Sequence, residues 1–428
     1  MSATTEAPAL REDTAAADRA GRFARWIVFG LCALLFSCSQ FYRVANAVVA
    51  PDLQRDLHLS HEALGSLSAA FFYAFAAAQI PLALVIDRLG ARATMTVLTL
   101  VGAVGAVVFA TAGSGGAATV GRVLLGVGMS GNLMGSLKLV AQSFPARTFA
   151  TLAGVIATLG TVGNVLATTP LAVFAGAVGW RHAFLVFAVS TAALALLFHA
   201  LARERGPEAA VLAAPRAGGS PVAALLGSRD YWILSLGTFC RYGTFLAIQG
   251  LWAGPYLIAV AGLSPVRAAN LILILNVAAI VGAPIGGWLS DRVLASRKLV
   301  MLIALAGTAL AQVALALAPA RADPWLLALA LAFLGLSSSF GMVIYAHMKE
   351  LVPAPMAGMA MTGVNFFNML GPAVFLHGMG WIVGRVTGDG GAGAGGYRTA
   401  FLAGAAATGI AFLAYLGSRD ARPGEPRR

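Results

Sequence analysis

The chain has 428 residues, of which 59% are hydrophobic and only 11% charged, and its mean hydropathy is +0.82. This composition excludes an ordinary soluble domain, because the apolar side chains exceed what a water-surrounded core can bury. The formal net charge of +12 does not indicate a nucleic-acid partner here, because the basic residues lie mainly between long apolar stretches. We therefore expect an all-α membrane protein in contact with lipid.

Twelve apolar stretches follow one another along the chain, and each is about 20 residues or more, the length that crosses a bilayer as a helix. The first six lie near residues 26–50, 64–86, 93–113, 117–142, 151–175 and 182–202. The second six lie near residues 231–257, 268–290, 298–320, 324–348, 357–384 and 398–417. We number these stretches spans one to twelve.

The spans fall into two groups of six, which predicts two halves. We expect an N-terminal half over residues 26–202 and a C-terminal half over residues 231–417. The remaining segments are a tail at 1–25, a linker at 203–230 that is rich in Arg, Glu, Pro and Gly, and a tail at 418–428.

The two halves also share residues at a constant offset of 204 positions. The matching pairs are Pro51 and Pro255, Ser60 and Ser264, Asp87 and Asp291, and Arg88 and Arg292. A repeat of this length between apolar halves is typical of secondary transporters with two pseudo-symmetric halves.

The positions of Lys and Arg predict the orientation of the chain. If both termini are cytoplasmic, 19 of the 29 basic residues lie on the cytoplasmic side, six lie outside and four lie within spans. This excess predicts that both termini are cytoplasmic. The first 25 residues contain no apolar stretch followed by a cleavage site, so we expect no signal peptide.

Two motifs, at the ends of spans two and eight, resemble the G-x-L-x-D-R-x-G-x-R signature of the major facilitator superfamily. The motif residues are Asp87, Arg88 and Arg92 in the first copy and Asp291 and Arg292 in the second. Ala83 replaces a glycine of the first copy, and the second copy lacks the later glycine. A carboxylate at such a place can accept hydrogen bonds from the N-terminus of another helix, and in this family these loops act as a gate latch.

The resemblance implies a monomeric, multi-pass transporter of the bacterial inner membrane that works by alternating access without a cofactor. In span four, Arg122 and Gly126 match the family's Arg-x-x-x-Gly pattern. For Arg122 the resemblance implies a role in coupling or helix packing and not in substrate binding.

Cations lie within the spans, whereas all 17 acidic residues lie on tails, loops or span ends. The candidates are Arg43 in span one, Lys138 in span four and Arg241 in span seven, and the resemblance implies that these spans line a central cavity. A cation within a membrane span costs about 2.5–3.5 kcal/mol on insertion scales, so it normally has a partner or a watery cavity. We therefore expect an anionic substrate to supply the negative charge, which an arginine fork binds well.

The position of Arg43, eight residues before Pro51, is similar to the first helix of organophosphate:phosphate antiporters, where the matching arginine contacts the phosphate. The equivalent position in span seven is Ala247, while Arg241 lies about 9 Å nearer the cytoplasmic side along the helix. This difference favours a carboxylate over a phosphate ester.

Three aromatic residues on cavity-lining spans, Tyr42, Trp252 and Tyr345, complete the predicted substrate site. For the cations there are structural alternatives: Arg43 could bond to backbone carbonyls, and Lys138 could extend to the membrane surface. The sequence thus predicts a transporter of a small organic anion that works by anion exchange or proton symport.

Two other functions remain open at this stage. Seven of the 12 methionines lie between Met342 and Met379, together with His347 and His377, and soft ligands of this kind can bind Cu(I) in a copper importer. A membrane sensor that keeps a transporter fold is the other alternative. An enzyme is disfavoured, because the loops show no nucleophile–base cluster and no metal-ligand spacing.

Overall fold

The computed structural model describes residues 7–145, 148–202, 221–353, 356–387 and 393–421. Within these ranges the regular structure is entirely helical, which confirms the predicted all-α class. Eleven helices of the described residues are long and apolar enough to cross a membrane.

The N-terminal half contains nine helices among the described residues. They are α1 (Ala7–Val44), α2 (Asn46–Leu57), α3 (His61–Leu89), α4 (Ala91–Ala110), α5 (Gly115–Met129), α6 (Asn132–Ser143), α7 (Phe149–Leu166), α8 (Thr169–Val178) and α9 (Trp180–Leu201). Spans one, four and five therefore each consist of two consecutive helices, with breaks near Ala45, Ser130 and Ala167.

In the C-terminal half, spans seven and ten are likewise divided, whereas span eleven is one continuous helix. The helices from residue 221 onward are α10 (Pro221–Leu226), α11 (Arg229–Ala247), α12 (Ala253–Ala259), α13 (Pro265–Trp288), α14 (Arg297–Leu317), α15 (Pro324–Phe340), α16 (Ile344–Leu351), α17 (Ala357–Thr387) and α18 (Ala394–Tyr415). A π-helical turn at Ile248–Trp252 joins α11 to α12, and a 3-10 turn at Gly341–Val343 joins α15 to α16.

Span seven differs from the eleven apolar spans in composition. Its first part, α11, carries Arg229, Asp230 and Arg241, and these charges lower its hydropathy. The π-helical turn and most of α12 are nevertheless buried, so α11, the turn and α12 form one interior passage of the chain. With it, the architecture is the expected bundle of twelve spans in two six-helix halves.

The predicted segment boundaries and the helix boundaries differ at two places. Helix α1 begins at Ala7, within the predicted tail, where alanine is frequent and favours helix. The short helix α10 lies within the predicted linker. Residues 203–220 and 422–428 are outside the described residues.

The repeated serines have a clear structural role. Ser60 accepts a hydrogen bond from the backbone N–H of Ala63 at 3.1 Å, and Ser264 accepts one from Arg267 at 3.4 Å. Each serine thus caps the N-terminus of the second span of its half, where backbone N–H groups lack helical partners. The serine pair of the repeat therefore marks equivalent helix starts in the two halves.

The two halves contact each other at one end of the bundle. We call this the far end; it contains the turn at His58–Ser60 and the loop at Val260–Ser264, and the opposite end, with Gly90, is the near end. Two side-chain hydrogen bonds between described residues join the halves there: Ser66 to His377 at 2.9 Å and Thr169 to Asn270 at 2.7 Å.

The packing of buried apolar side chains agrees with this one-ended contact. One large cluster contains residues of both halves, such as Phe72 and Trp252. At the near end the buried side chains form two separate clusters, one around Met95 in the N-terminal half and one around Met301 in the C-terminal half. The space between the halves is therefore closed at the far end.

Candidate functional site

Arg43 lies near the end of α1, two residues before the break at Ala45, and is only 8% exposed. Its guanidinium lies over the ring of Phe75 from α3, 4.6 Å from the ring centroid, in a cation–π contact. Arg43 also interacts electrostatically with the hydroxyl groups of Tyr242 and Tyr345, both from the C-terminal half. Its guanidinium therefore lies at the boundary between the two halves.

Arg241 lies in the middle of α11 and is 2% exposed. Its Nη1 donates to the backbone carbonyl of Ser338 and, at 3.2 Å, to the hydroxyl of Ser338 in α15. Gly341 leaves room for this arrangement, because a β-carbon there would overlap the guanidinium of Arg241. Arg241 is thus fixed against span ten.

Two tyrosines connect these arginines. The ring centroid of Tyr242 is 5.9 Å from the guanidinium carbon of Arg241, while its hydroxyl interacts with Arg43. The hydroxyl of Tyr345 interacts electrostatically with both arginines and donates to Oδ1 of Asn365 at 2.9 Å. The structure therefore brings together three of the predicted residues, Arg43, Arg241 and Tyr345.

No ion pair in the described part of the chain involves Arg43 or Arg241. In both residues the Nε atom is buried and has no hydrogen-bond partner. Positive charge in such a place is unfavourable without a compensating anion or water. The arrangement can thus bind a negatively charged group between the halves.

The other three predicted substrate residues lie elsewhere. The hydroxyl of Tyr42 is 3.1 Å from that of Thr191, inside the N-terminal half. Trp252 donates to the carbonyl of Leu376 at 3.2 Å among the far-end contacts. Both rings fill helix contacts and do not lie beside the arginine pair, because the turns that carry them face neighbouring helices.

Lys138 is also separated from the arginine pair. Its ammonium donates to the carbonyl of Ile86 at 2.9 Å, at the near end of α3. Ile86 is eleven residues from Phe75, the neighbour of Arg43, which corresponds to about 16 Å along the helix. The position of Lys138 favours a role at the near-end motif over substrate contact.

Sequence reasoning missed Tyr242, Phe75 and Ser338. Tyr242 could have been found in the sequence, because it is adjacent to Arg241 within a span. Tyr42 is adjacent to Arg43 in the same way. For Phe75 and Ser338, nothing in the sequence separates them from the many other phenylalanines and serines of the spans.

At the near end, the second motif forms a compact charged cluster. Arg297, the first residue of α14, binds Asp291 and also Glu350 at 2.9 Å, and it donates to the hydroxyl of Ser290 at 3.0 Å. Asp291 therefore binds an arginine side chain at a helix start, in addition to any interaction with the helix dipole. Arg292 is exposed.

The first motif is described only in part. Arg92 donates through Nε to the carbonyl of His199 at 2.8 Å, which joins the start of α4 to the end of α9. Arg88 is exposed, and the side chain of Asp87 is outside the described residues. The predicted gate role of both motifs stays a prediction.

Arg122 is fully buried in α5, away from solvent. Its Nη1 donates to the carbonyl of Tyr42 at 2.8 Å, and its guanidinium lies 4.8 Å from the ring centroid of Phe71. The carbonyl it binds belongs to the last turn of α1, just before the helix break. Arg122 therefore stabilises the backbone of α1 at the residue that precedes Arg43.

The residues of the copper alternative are used in other contacts. The ring of His347 contacts the hydroxyl of Tyr415 at 2.7 Å and the carbonyl of Arg419 at 2.9 Å, and His377 contacts Ser66. Met342 is 53% exposed, whereas Met379 is buried in the core. Among the described residues, no group of three or more His, Cys, Asp or Glu is placed to hold a metal ion.

A second polar feature lies at the far end, in a cavity of about 440 Å³. Asp56 accepts hydrogen bonds there from Trp180 at 2.9 Å and Arg55 at 3.0 Å. The hydrogen bond from Trp180, followed by those of Arg55, lowers the pKa of the Asp56 carboxyl below its usual value. The carboxylate therefore remains charged at neutral pH.

Comparison with known proteins agrees with this architecture. The family model described as Major Facilitator Superfamily matches residues 29–376 and 234–428. The chain is 26% identical over 413 residues to a protein of Cupriavidus necator named "Probable sulfoacetate transporter", covering 92% of this chain and 93% of that protein. It is 29% identical over 175 residues to the galacturonate transporter of Dickeya chrysanthemi, covering 41% and 49% of the two chains.

Solved structures show the same fold. A bacterial homologue of the human lysosomal transporter Spinster, in an inward-facing and unoccupied conformation, aligns with a TM-score of 0.78 at 18% identity, covering 92% of this chain and 97% of that one. A D-xylose–proton symporter aligns with a TM-score of 0.70 at 18% identity, covering 90% and 97%. From the matched residues and the twelve-span architecture together, the chain belongs to the Major Facilitator Superfamily.

Proposed function

We propose that the protein is a secondary active transporter that moves a small organic anion, of the carboxylate type, across the bacterial inner membrane. The observation that carries this proposal is the arrangement of Arg43 and Arg241. Both are buried, they come from opposite halves, and neither has an acidic partner among the described residues. An anion placed between them supplies the missing charge.

The relatives support the same class of substrate. The proteins of Cupriavidus necator and Dickeya chrysanthemi are named for sulfoacetate and galacturonate, both of which are organic anions with an acidic group. A nitrate/nitrite transporter, a carrier of inorganic anions, is a further relative over 29% of this chain. The homologues are transporters, and no step of the proposed mechanism requires catalysis by this chain.

The far-end contacts suggest how binding produces transport. In the closed far-end state, an anion reaches the arginine pair from the near end and binds to groups of both halves. The bound anion then reduces the repulsion between the two guanidinium groups. With substrate bound, the halves can therefore close at either the far end or the near end. Exchange for a second anion and symport with a proton both fit this cycle.

The first test measures uptake or exchange of radiolabelled carboxylates in proteoliposomes with Arg43→Gln and Arg241→Gln variants. Removing one partner of a buried charge interaction costs about 2 kcal/mol or more, so we expect at least about a 30-fold loss of binding and a near-complete loss of transport. Arg267→Gln is the matched control, because Arg267 is exposed at the far end. Normal transport by Arg43→Gln would reject the site.

A thermal-shift screen of the purified wild-type protein identifies the class of ligand. A ligand that binds the folded state raises the unfolding temperature. The panel contains mono-, di- and tricarboxylates, sugar phosphates, amino acids and metal cations, including Cu(I). Stabilisation by carboxylates supports the proposal, and stabilisation by cations alone contradicts it.

A further inference from the structure

The charge of the candidate site is larger than one substrate group can neutralise. Arg43 and Arg241 each contribute a guanidinium, and both interact with the same hydroxyl group of Tyr345. In each arginine the buried Nε lacks a partner. The two positive charges thus share a tyrosine partner, and no described carboxylate is paired with either of them.

Because the two arginines are buried, the charge of the ligand determines how well it binds to them. A ligand with one negative charge neutralises one guanidinium and leaves the second as a buried, unpaired charge, which is strongly unfavourable. A ligand with two negative charges satisfies both. We propose that the substrate is a short organic dianion with one acidic group at Arg43 and the other at Arg241. This inference rests on the proposed function.

The tyrosines set the spacing between the two acidic groups. Tyr242 has its ring beside Arg241, at 5.9 Å, and its hydroxyl beside Arg43. A single tyrosine side chain therefore interacts with both guanidinium groups. A ligand with only a few atoms between its acidic groups fits this arrangement, whereas a long α,ω-dianion does not.

The surroundings of the two arginines differ, which gives the bound dianion a direction. Arg43 lies on the face of Phe75, which offers no hydrogen bond. Arg241 is tied to the carbonyl and hydroxyl of Ser338. Tyr345, with its partner Asn365, provides polar groups beside both arginines. The end of the ligand at Arg43 therefore meets the ring of Phe75, and the end at Arg241 meets the hydroxyl of Ser338.

The test compares ligands that share a carbon skeleton and differ in charge. Binding of succinate, of its singly charged monomethyl ester and of propionate to the purified full-length protein is measured by isothermal titration calorimetry, together with malonate and the longer adipate. Because a close buried charge pair contributes 1.5 kcal/mol or more, we expect the short dianions to bind at least about tenfold more tightly than the monoanions. We expect adipate to bind more weakly than malonate or succinate.

The arginine variants separate this inference from the proposed function. In Arg43→Gln and Arg241→Gln, the affinity for short dianions falls to that for monoanions, while monoanion affinity changes less, because one arginine remains. Arg43→Lys, which keeps the charge, retains the preference for dianions and shows that the loss is not caused by misfolding. Equal affinity of the wild type for the ester and for succinate overturns the inference and leaves the anion carrier intact. Binding of no organic anion rejects the proposed function as well.

Discussion

Two arginines with the same chemistry have different surroundings in this protein. Arg241 has directional hydrogen bonds to Ser338, which fix its guanidinium on span ten. Arg43 lies on the ring of Phe75 in its own half and interacts with the hydroxyl of Tyr242 in the other half. We infer that Arg241 is held within its own half and that Arg43 connects the two halves.

Arg122 has other neighbours than the two arginines of the proposed substrate site. Its described hydrogen bond goes to the carbonyl of Tyr42, and its ring contact is with Phe71. We predict that Arg122→Leu destabilises the protein, because the Tyr42 carbonyl loses a charged donor, a bond of about 1.5–3 kcal/mol. The thermal unfolding midpoint of the purified protein measures this loss.

The affinity of the Arg122→Leu variant for the anion provides the control for this prediction. Because the guanidinium of Arg122 supports the backbone and does not face the arginine pair, we expect the dissociation constant to change only slightly. A loss of binding as large as that in Arg43→Gln, with unchanged thermal stability, would show that Arg122 is a ligand.

Of the proposed site, the arginines were easier to predict from the sequence than the side chains around them. Arg43 and Arg241 are conspicuous because a cation in an apolar span is rare. The placing of Tyr42, Trp252 and Lys138 depends on the rotation of each helix about its axis, which is set by packing. Helix breaks such as that at Ala45 change this rotation. The resulting orientation of the side chains cannot be read from a single sequence.

At the scale of the helices, close glycine contacts occur both between the halves and within each half. Between the halves, a β-carbon on Gly254 would overlap the carbonyl of Ala47, and one on Gly65 would lie 2.7 Å from the carbonyl of Leu376. Within the N-terminal half, a β-carbon on Gly163 would overlap the carbonyl of Ser37. The first kind of contact must separate when the far end opens, and the second need not.

This difference predicts distinct effects for the same substitution. We expect Gly254→Ala to disfavour the closed far end and to leave each half folded, because the added methyl group clashes only between the halves. Labelling of a cysteine introduced at Ser66 with a water-soluble maleimide should therefore become faster. Ser66 forms a contact between the halves, so its accessibility reports on the opening.

Gly163→Ala is the matched variant within one half. There the methyl group clashes with α1 in every conformation, so we expect a lower unfolding temperature and no increase in labelling at position 66. The opposite pattern, in which Gly163→Ala opens the far end and Gly254→Ala does not, would contradict the assignment of these contacts.

Most of the architecture could be predicted from the sequence, for a physical reason. A bilayer requires long apolar helices, and their number and order are directly visible in the chain. Span seven was predicted at residues 231–257 as one of the twelve apolar stretches, although it contains Arg241. What could not be predicted is which end of the bundle is closed, since this depends on contacts between residues of different halves such as Ser66 and His377.

Considered as a whole, the molecule has a strongly unequal charge distribution along the bundle. With the termini inside, 19 basic residues lie on the cytoplasmic side and six outside. The charged cluster of Arg297, Asp291 and Glu350 lies at the near end, and the cavity with Asp56 at the far end. The predicted orientation therefore makes the near end cytoplasmic and the closed far end external.

Cysteine labelling in intact cells tests this orientation. The native cysteines, Cys32, Cys38 and Cys240, are replaced by serine, and single cysteines are introduced at Ala320, an exposed position between α14 and α15, or at Ser220 in the predicted linker. Since basic loops are retained in the cytoplasm, we expect a membrane-impermeant maleimide to label position 320 in intact cells and position 220 only after the cells are opened. Labelling of position 220 alone in intact cells would invert the orientation, and an anion that enters the site from the near end would then come from outside.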